Sequence, residues 1–352
     1  MNKKWYALAV LLAPFTLIVA CSQQDAGAPV AEEAAPPAAD DHAKDAIVAE
    51  ALSAAPPSVT ASASVADWEG NVLREGTGSF TCLPTPAGFE AGTTPMCMDG
   101  PWMAWADAWG NKTELTIDRL GISYMLAGDS GASNIDPYAT EQTEDNEWTV
   151  GGPHLMIITP DPALLDGLPT DPENGGPFVM WKDTPYAHVM VPVDIAGSDA
   201  VDSPLDDALS AANSHMITDA KVVDWEGNVL QEGEGPYTCL PTPPQFAGGR
   251  APMCMDGPWM AWADAWMNKT DVAIDEIGIA YMLAGDDGGS NVDPFASEPT
   301  DDNEWVVSGP HLMIIVPDNS LLADLPTDPE NGGPYVMWRD TPYAHIMVRV
   351  GD

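Results

Sequence analysis

The chain has 352 residues, with 54 Asp and Glu against 12 Lys and Arg and a formal charge of −42. A surface this acidic repels polyphosphate, which excludes DNA and RNA as partners, and it is ill suited to docking on anionic lipid. It favours divalent cations, basic partners, or simple solubility in salty water.

The chain opens with a basic Asn2-Lys3-Lys4 and an apolar run from Trp5 to Ala20, closed by Leu17-Ile18-Val19-Ala20-Cys21-Ser22. Basic start, apolar run and small residue before a cysteine are the parts of an export signal. This stretch resembles the lipobox of a bacterial lipoprotein signal. The resemblance covers only the first 22 or so residues. It implies removal of residues 1–20, acylation of Cys21 (palmitate among the chains), and a membrane partner reached through that lipid. Ser22, in place of Asp, resembles the type sorted to the outer membrane, facing the periplasm or the exterior. An exported chain is free to form disulfides. Residues 21–41 are mainly Ala, Pro and acidic residues, too poor in apolar groups for a core, and read as a tether.

Beyond the tether the chain says nearly everything twice. Met96-Cys97-Met98-Asp99-Gly100-Pro101-Trp102-Met103-Ala104-Trp105-Ala106-Asp107-Ala108-Trp109 recurs unchanged at 253–266. The same offset aligns Cys82 with Cys239, His154 with His311, Trp181 with Trp338 and His188 with His345. Self-similarity over so long a period marks a tandem pair of domains, not a solenoid of small units. We place repeat 1 at 42–193 and repeat 2 at 199–352, each long enough for a core. The expected class is α+β, each domain an antiparallel sheet with one Trp-rich helix on a face.

In chain order, a unit begins with a short helix; Ser203-Pro204 starts the one in repeat 2, and Leu205, Ala208, Leu209 and Ala212 form its apolar stripe. Val65 to Trp68 and Val72-Leu73 flank Glu69-Gly70-Asn71, a hairpin with a Gly-Asn turn. With Cys21 acylated, four cysteines remain; of three connectivities the simplest pairs Cys82 with Cys97 and Cys239 with Cys254. The copied stretch follows, with Asp99 as N-cap and Trp102, Trp105, Ala106 and Trp109 on one face. Strands are expected at 121–126, 153–158, 178–181 and 186–191, with a helical turn at 161–165 and a polar loop over 128–147.

Two constellations could carry chemistry. His154-x-Met156 and His188-x-Met190 each place imidazole and thioether on one side of a strand, as do His311, Met313, His345 and Met347. If these strands pair in register they converge, and such a set suits copper, the thioethers selecting the cuprous ion. The competing reading leaves the histidines in the sheet and the methionines as core filler. The second constellation is a Trp-lined pocket using Trp102, Trp105, Trp259 and Trp262. Calcium at the 128–147 loop rests on charge alone, since no EF-hand pattern is present. For a hydrolase, His188 with Asp183 or Asp99 would be base and orienter, but no nucleophile motif accompanies them. The reading favoured is a non-catalytic binding protein of the cell envelope, with an envelope protein or glycan as ligand and soft-metal binding as the alternative.

Overall fold

A computed structural model describes residues 39–87, 92–194, 201–244 and 249–351. The export signal, Cys21 and most of the expected tether lie outside the described residues. Repeat 1 runs α1 (Ala39–Leu52), α2 (Pro57–Thr60), β1 (Ser64–Ala66), β2 (Val72–Arg74), β3 (Thr81–Leu83), β4 (Met96–Met98), α3 (Gly100–Asn111), β5 (Gly121–Met125), β6 (Ala132–Ser133), β7 (Trp148–Thr149), β8 (His154–Ile158), β9 (Phe178–Met180) and β10 (His188–Pro192). Repeat 2 runs α4 (Pro204–Leu209), β11 (Lys221–Val223), β12 (Val229–Gln231), β13 (Thr238–Leu240), β14 (Met253–Met255), α5 (Gly257–Asn268), β15 (Gly278–Met282), β16 (Asp286–Ser290), β17 (Trp305–Ser308), β18 (His311–Ile315), β19 (Tyr335–Met337) and β20 (His345–Arg349). Two similar sheet-rich domains with few helices result. Among the described residues no helix is long and apolar enough to cross a membrane.

Each repeat builds an eight-stranded sheet, in repeat 1 of order β2-β1-β3-β4-β5-β8-β10-β9. One pair corrects the expected antiparallel sheet: β1 and β3 are parallel. The cause is the hairpin. β2 folds back on the outer side of β1, so the chain returns to the inner side running in its original direction. The hairpin turn is held by Asp67, whose Oδ1 accepts from the N–H groups of Glu69 and Asn71 at 3.1 and 2.7 Å, with Gly70 at φ +84°. Cys82 and Cys97 stand directly opposite on β3 and β4 and are bonded, as are Cys239 and Cys254. Closing a loop of about 15 residues contributes about 3 kcal/mol in the chain-entropy picture.

Strands β5, β8 and β10 are buried on both faces, so each face has its own apolar set. Ile122, Tyr124, Leu155, Ile157, Val189 and Val191 point inward; Met98, Met125, Met156, Met180 and Met190 point toward α3. The inward faces do not form separate cores. Ile279, Tyr281, Leu312, Ile314 and Ile346 of repeat 2, with Ala51 of α1 and Ala208 of α4, belong to the same buried cluster. The described residues accordingly form one compact unit. What remains separate is the outer cluster of each repeat, where α3 or α5 covers a methionine-rich face.

The contacts between repeats are reciprocal. The Gly175-Gly176 loop of repeat 1 seats on His215, Met216 and Tyr237 of repeat 2, and Gly332-Gly333 of repeat 2 on Ser58, Ser62 and Phe80 of repeat 1. A Cβ at Gly176 would stand 3.0 Å from the Tyr237 ring, and one at Gly333 would stand 3.0 Å from Phe80. Each of those rings packs edge-on against a core tyrosine, Phe80 on Tyr124 at 5.5 Å and Tyr237 on Tyr281 at 5.4 Å. One surface thus meets its own copy, the arrangement of a twofold dimer carried in a single chain.

Candidate functional site

The outer cluster begins at the start of α3. Asp99 is its N-cap; Oδ1 accepts from the Trp102 N–H at 3.1 Å and Oδ2 from the Ile122 N–H at 3.0 Å, joining helix to sheet. Burial raises the Asp99 carboxyl to about 6, with the backbone N–H groups and Arg119 at 3.7 Å working the other way. Its counterpart Asp256 is raised further, to about 7, again chiefly by burial; Glu276 stands where repeat 1 has Arg119 and adds to the rise. The helix ends at Asn111, with Lys112 in the left-handed conformation as C-cap.

Trp102 and Trp105 lie under α3 at 1% and 8% exposure, and Trp259 and Trp262 under α5 at 1% and 7%. The pocket expected around these four is therefore corrected: their faces are consumed by the methionine layer and by one another. The accessible aromatic surface lies further out, along a ladder of near-parallel rings. Trp105, Trp181 and Trp109 form a mutually near-parallel trio, at 5.6 Å and 7° between Trp105 and Trp181, 6.1 Å and 13° between Trp105 and Trp109, and 6.3 Å and 13° between Trp181 and Trp109; Trp109 then stacks on Tyr138 at 6.4 Å and 5°. The Lys112 ammonium caps the last ring, 4.2 Å above the Tyr138 centroid. Repeat 2 rebuilds the series with Trp262, Trp338, Trp266 and Phe295, and Lys269 at 4.5 Å over Phe295. Tyr138 and Phe295 are 38% and 43% exposed, next to Ile135 and Val292 at 47% and 45%. Beside Phe295 is a shallow cleft of about 420 Å³ that also takes in Val292, Glu298, Asp302 and Asn303.

One ring of each trio is held against its own backbone preference. Trp181 has φ +56° and Trp338 +57°, a left-handed conformation that costs a bulky residue on the order of 1–3 kcal/mol. Two bonds fix Trp181 there: its N–H donates to the Asn134 carbonyl at 2.8 Å and its indole N–H to the Ser133 carbonyl at 2.6 Å. Asn134 is anchored in turn by its amide, which donates to Glu147 and to the Thr170 carbonyl. No protein-family model, curated protein or solved structure matches this chain.

His188 stands at the root of the ladder, edge-on to Trp181, Trp102 and Trp105 with centroids 5.0, 5.5 and 5.5 Å away. Its Nδ1 lies 2.9 Å from the Tyr186 carbonyl, and burial lowers its pKa to about 4; His345 in repeat 2 is lowered alike. The copper constellation does not assemble. β8 and β10 are neighbours, but their antiparallel register sets Met156 opposite Met190 and His154 opposite Pro192. His154 and His188 therefore stand about four residues apart along the strands, roughly 13 Å. The same register separates His311 from His345 while pairing Met313 with Met347. Period two puts the four side chains on one face; antiparallel pairing runs the two His-x-Met motifs in opposite directions.

His154 instead meets Asp129, with Nε2 3.9 Å from Oδ2, while Nδ1 is 2.7 Å from the Gly152 carbonyl. Each of the four sheet histidines thus spends Nδ1 on a main-chain carbonyl, and among the described residues no serine or threonine hydroxyl bonds the other nitrogen. The acidic loop is likewise committed: Asp129 Oδ1 accepts from Gly131 and Gly151, and Asp136 from the Tyr138 N–H. Among the described residues no three His, Cys, Asp or Glu side chains converge as a metal site would require.

Proposed function

We propose that this is an exported, lipid-anchored protein of the cell envelope whose paired repeats bind a basic protein segment at the outer ends of their aromatic ladders. The observation that carries the reading is the lysine cap. In both repeats the terminal ring already receives an ammonium. The same rings stay 38% and 43% exposed, so a partner's Lys or Arg can engage the ring surface that the lysine leaves open, for a gain of about 0.5–2 kcal/mol per contact. The net charge of −42 adds long-range attraction for such a partner. Two copies in one compact unit give avidity to a partner with two basic segments.

The test is titration of the full chain with an oligolysine peptide and with its Tyr138→Ala, Phe295→Ala double variant. Removing both rings should weaken binding by about tenfold at physiological salt, where exposed charge pairs are already screened. Equal binding by the double variant would reduce the interaction to bulk charge and remove the ladder from it. The anchor has its own test: Cys21→Ser should move the protein from the membrane to the soluble fraction, and continued membrane association would count against acylation at that position.

A further inference from the structure

The two repeats differ at one place where the difference is chemically coherent. Along the edge of the outer cluster, repeat 1 has Gly151, Phe178 and Pro192 where repeat 2 has Ser308, Tyr335 and Arg349. Each change adds a hydrogen-bonding or charged group, and the three added groups are close in space. Arg349 lies directly across the strand pair from His311, and its guanidinium is 5.8 Å from the Tyr335 ring centre. Ser308 pairs with Asp286 across the β16–β17 ladder, and Asp286 Oδ2 is 3.7 Å from His311 Nε2. Ser308 and Arg349 also bear on the Tyr335 hydroxyl, which burial nevertheless holds above the usual phenol range.

These groups are buried: Ser308, His311 and Tyr335 are at most 3% exposed. The Ser308 and Tyr335 hydroxyls face each other, and His311 Nε2 faces Asp286 with no closer partner among the described residues. This polar layer adjoins Arg349 but does not itself line the cleft beside it. Arg349 pairs with no carboxylate among the described residues, unlike Arg119 and Arg250. It lines a cleft of about 540 Å³, together with Glu304, Trp305, Val307, Asp328 and Glu330.

We propose that repeat 2, and not repeat 1, binds a small zwitterion of the amino-acid type in this cleft. The chain's charge repels a simple anion, and three carboxylate side chains at the cleft repeat that repulsion locally. Only Arg349 attracts a carboxylate, which its planar fork can receive through two bonds. A ligand that brings its own ammonium turns the acidic rim from an obstacle into a second anchor, with the Trp305 ring available to the same cation. Repeat 1 keeps the acidic rim as Glu147, Asp171 and Glu173 but has Pro192 in place of the cation.

The repeats supply their own controls. Arg349→Pro, and the triple change Ser308→Gly, Tyr335→Phe, Arg349→Pro, install residues around which repeat 1 already folds. Calorimetric titration of the full chain with L-alanine, L-leucine and L-lysine should find saturable binding of at least one, at one equivalent per chain. Propionate and ethylamine, the two halves of alanine, should bind at least about tenfold more weakly, and Arg349→Pro should weaken the zwitterion by at least about tenfold, the scale of one lost charge-assisted bond. Any of four results would overturn the proposal: no saturable binding of the three amino acids up to ~10 mM, about tenfold above a weak Kd of about 1 mM; undiminished binding by the triple variant; two equivalents per chain; or propionate binding as well as alanine.

Discussion

Repeat 1 produced alone, as residues 39–194, should be a dimer. Its inward face has no solvent-compatible alternative: Ile122, Tyr124, Leu155, Ile157, Val189 and Val191 are all buried in the cluster shared with repeat 2. Each large apolar side chain returned to water costs about 1.5–3 kcal/mol, so six of them cost about 9–18 kcal/mol, as much as the 5–15 kcal/mol that holds a typical domain folded. A second copy can replace repeat 2 because the docking loop Pro172-Glu173-Asn174-Gly175-Gly176-Pro177 is identical to the loop from Pro329 to Pro334 that seats on Ser58 and Phe80. Repeat 2 alone should pair less well. Gly167 of repeat 1 packs so tightly against Glu276 of repeat 2 that any Cβ there would overlap the carboxylate. The counterparts of these two positions are Asp324 and Arg119. A homodimer of repeat 1 sets Gly167 against Arg119, whereas one of repeat 2 sets Asp324 against Glu276 twice. Sedimentation equilibrium should therefore show repeat 1 dimeric and repeat 2 at least about tenfold weaker, with Glu276→Arg restoring it, since like charges held in contact cost on the order of a kcal/mol each. A folded monomer of repeat 1, with the cooperativity of the full chain, would show that the shared core is dispensable.

That arrangement also explains what could be read from the sequence and what could not. Capping and periodicity are local, so the Asp99 cap, the Trp face of α3, the hairpin about Gly70-Asn71 and the strands β5, β8, β9 and β10 were legible in the sequence, whereas β3 and β4 were not, and β6 and β16 lie in what reads as a polar loop. The disulfides were legible too, because the cysteines are few and evenly repeated. Register and partner choice are not local. His-x-Met on two strands says that imidazole and thioether share a face, yet convergence depends on strand direction, which no count of spacings contains. The sheet was expected to carry a Trp-rich helix on one face; the other face of β5, β8 and β10 proved to be covered by the other repeat. The outer rungs of the ladder were missed for a related reason. Tyr138 and Trp181 are 43 positions apart, and they join Trp109 only through the loop carrying Ser133 and Asn134. One signal was available: position 138 is aromatic in both copies although Tyr became Phe at 295.

Replacing His188 by Phe should change how stability depends on pH more than it changes stability itself. In the folded chain the His188 imidazole is lowered to about 4 by burial among Trp102, Trp105 and Trp181, with a smaller contribution from His154. The unfolded chain takes up that proton near 6.5, so acidification from 6.5 to 4 favours unfolding, by about 3 kcal/mol for a shift of this size. Asp99 and Asp256 act in the opposite sense. Their folded carboxyls are raised to about 6 and about 7, so the stability they carry is complete below the unfolded value near 4 and is lost as pH rises. Each is worth about 3–4 kcal/mol over that interval. The two histidines and two aspartates of the outer clusters thus offset one another between pH 4 and 6.5. His188→Phe removes one side of that balance. Phe keeps an aromatic ring in the Trp cage, and the Tyr186 carbonyl retains the Trp105 indole N–H at 3.3 Å. Relative to the unmodified chain, the variant should gain about 3 kcal/mol between pH 7 and pH 4, and His345→Phe in addition should bring the gain to about 6. Urea unfolding of both chains at the two pH values gives this difference directly, and every carboxylate common to both cancels from it. A variant whose stability runs parallel to that of the unmodified chain across the interval would mean that His188 is protonated inside its cage, and that the ladder tolerates a cation at its root as well as at its tip.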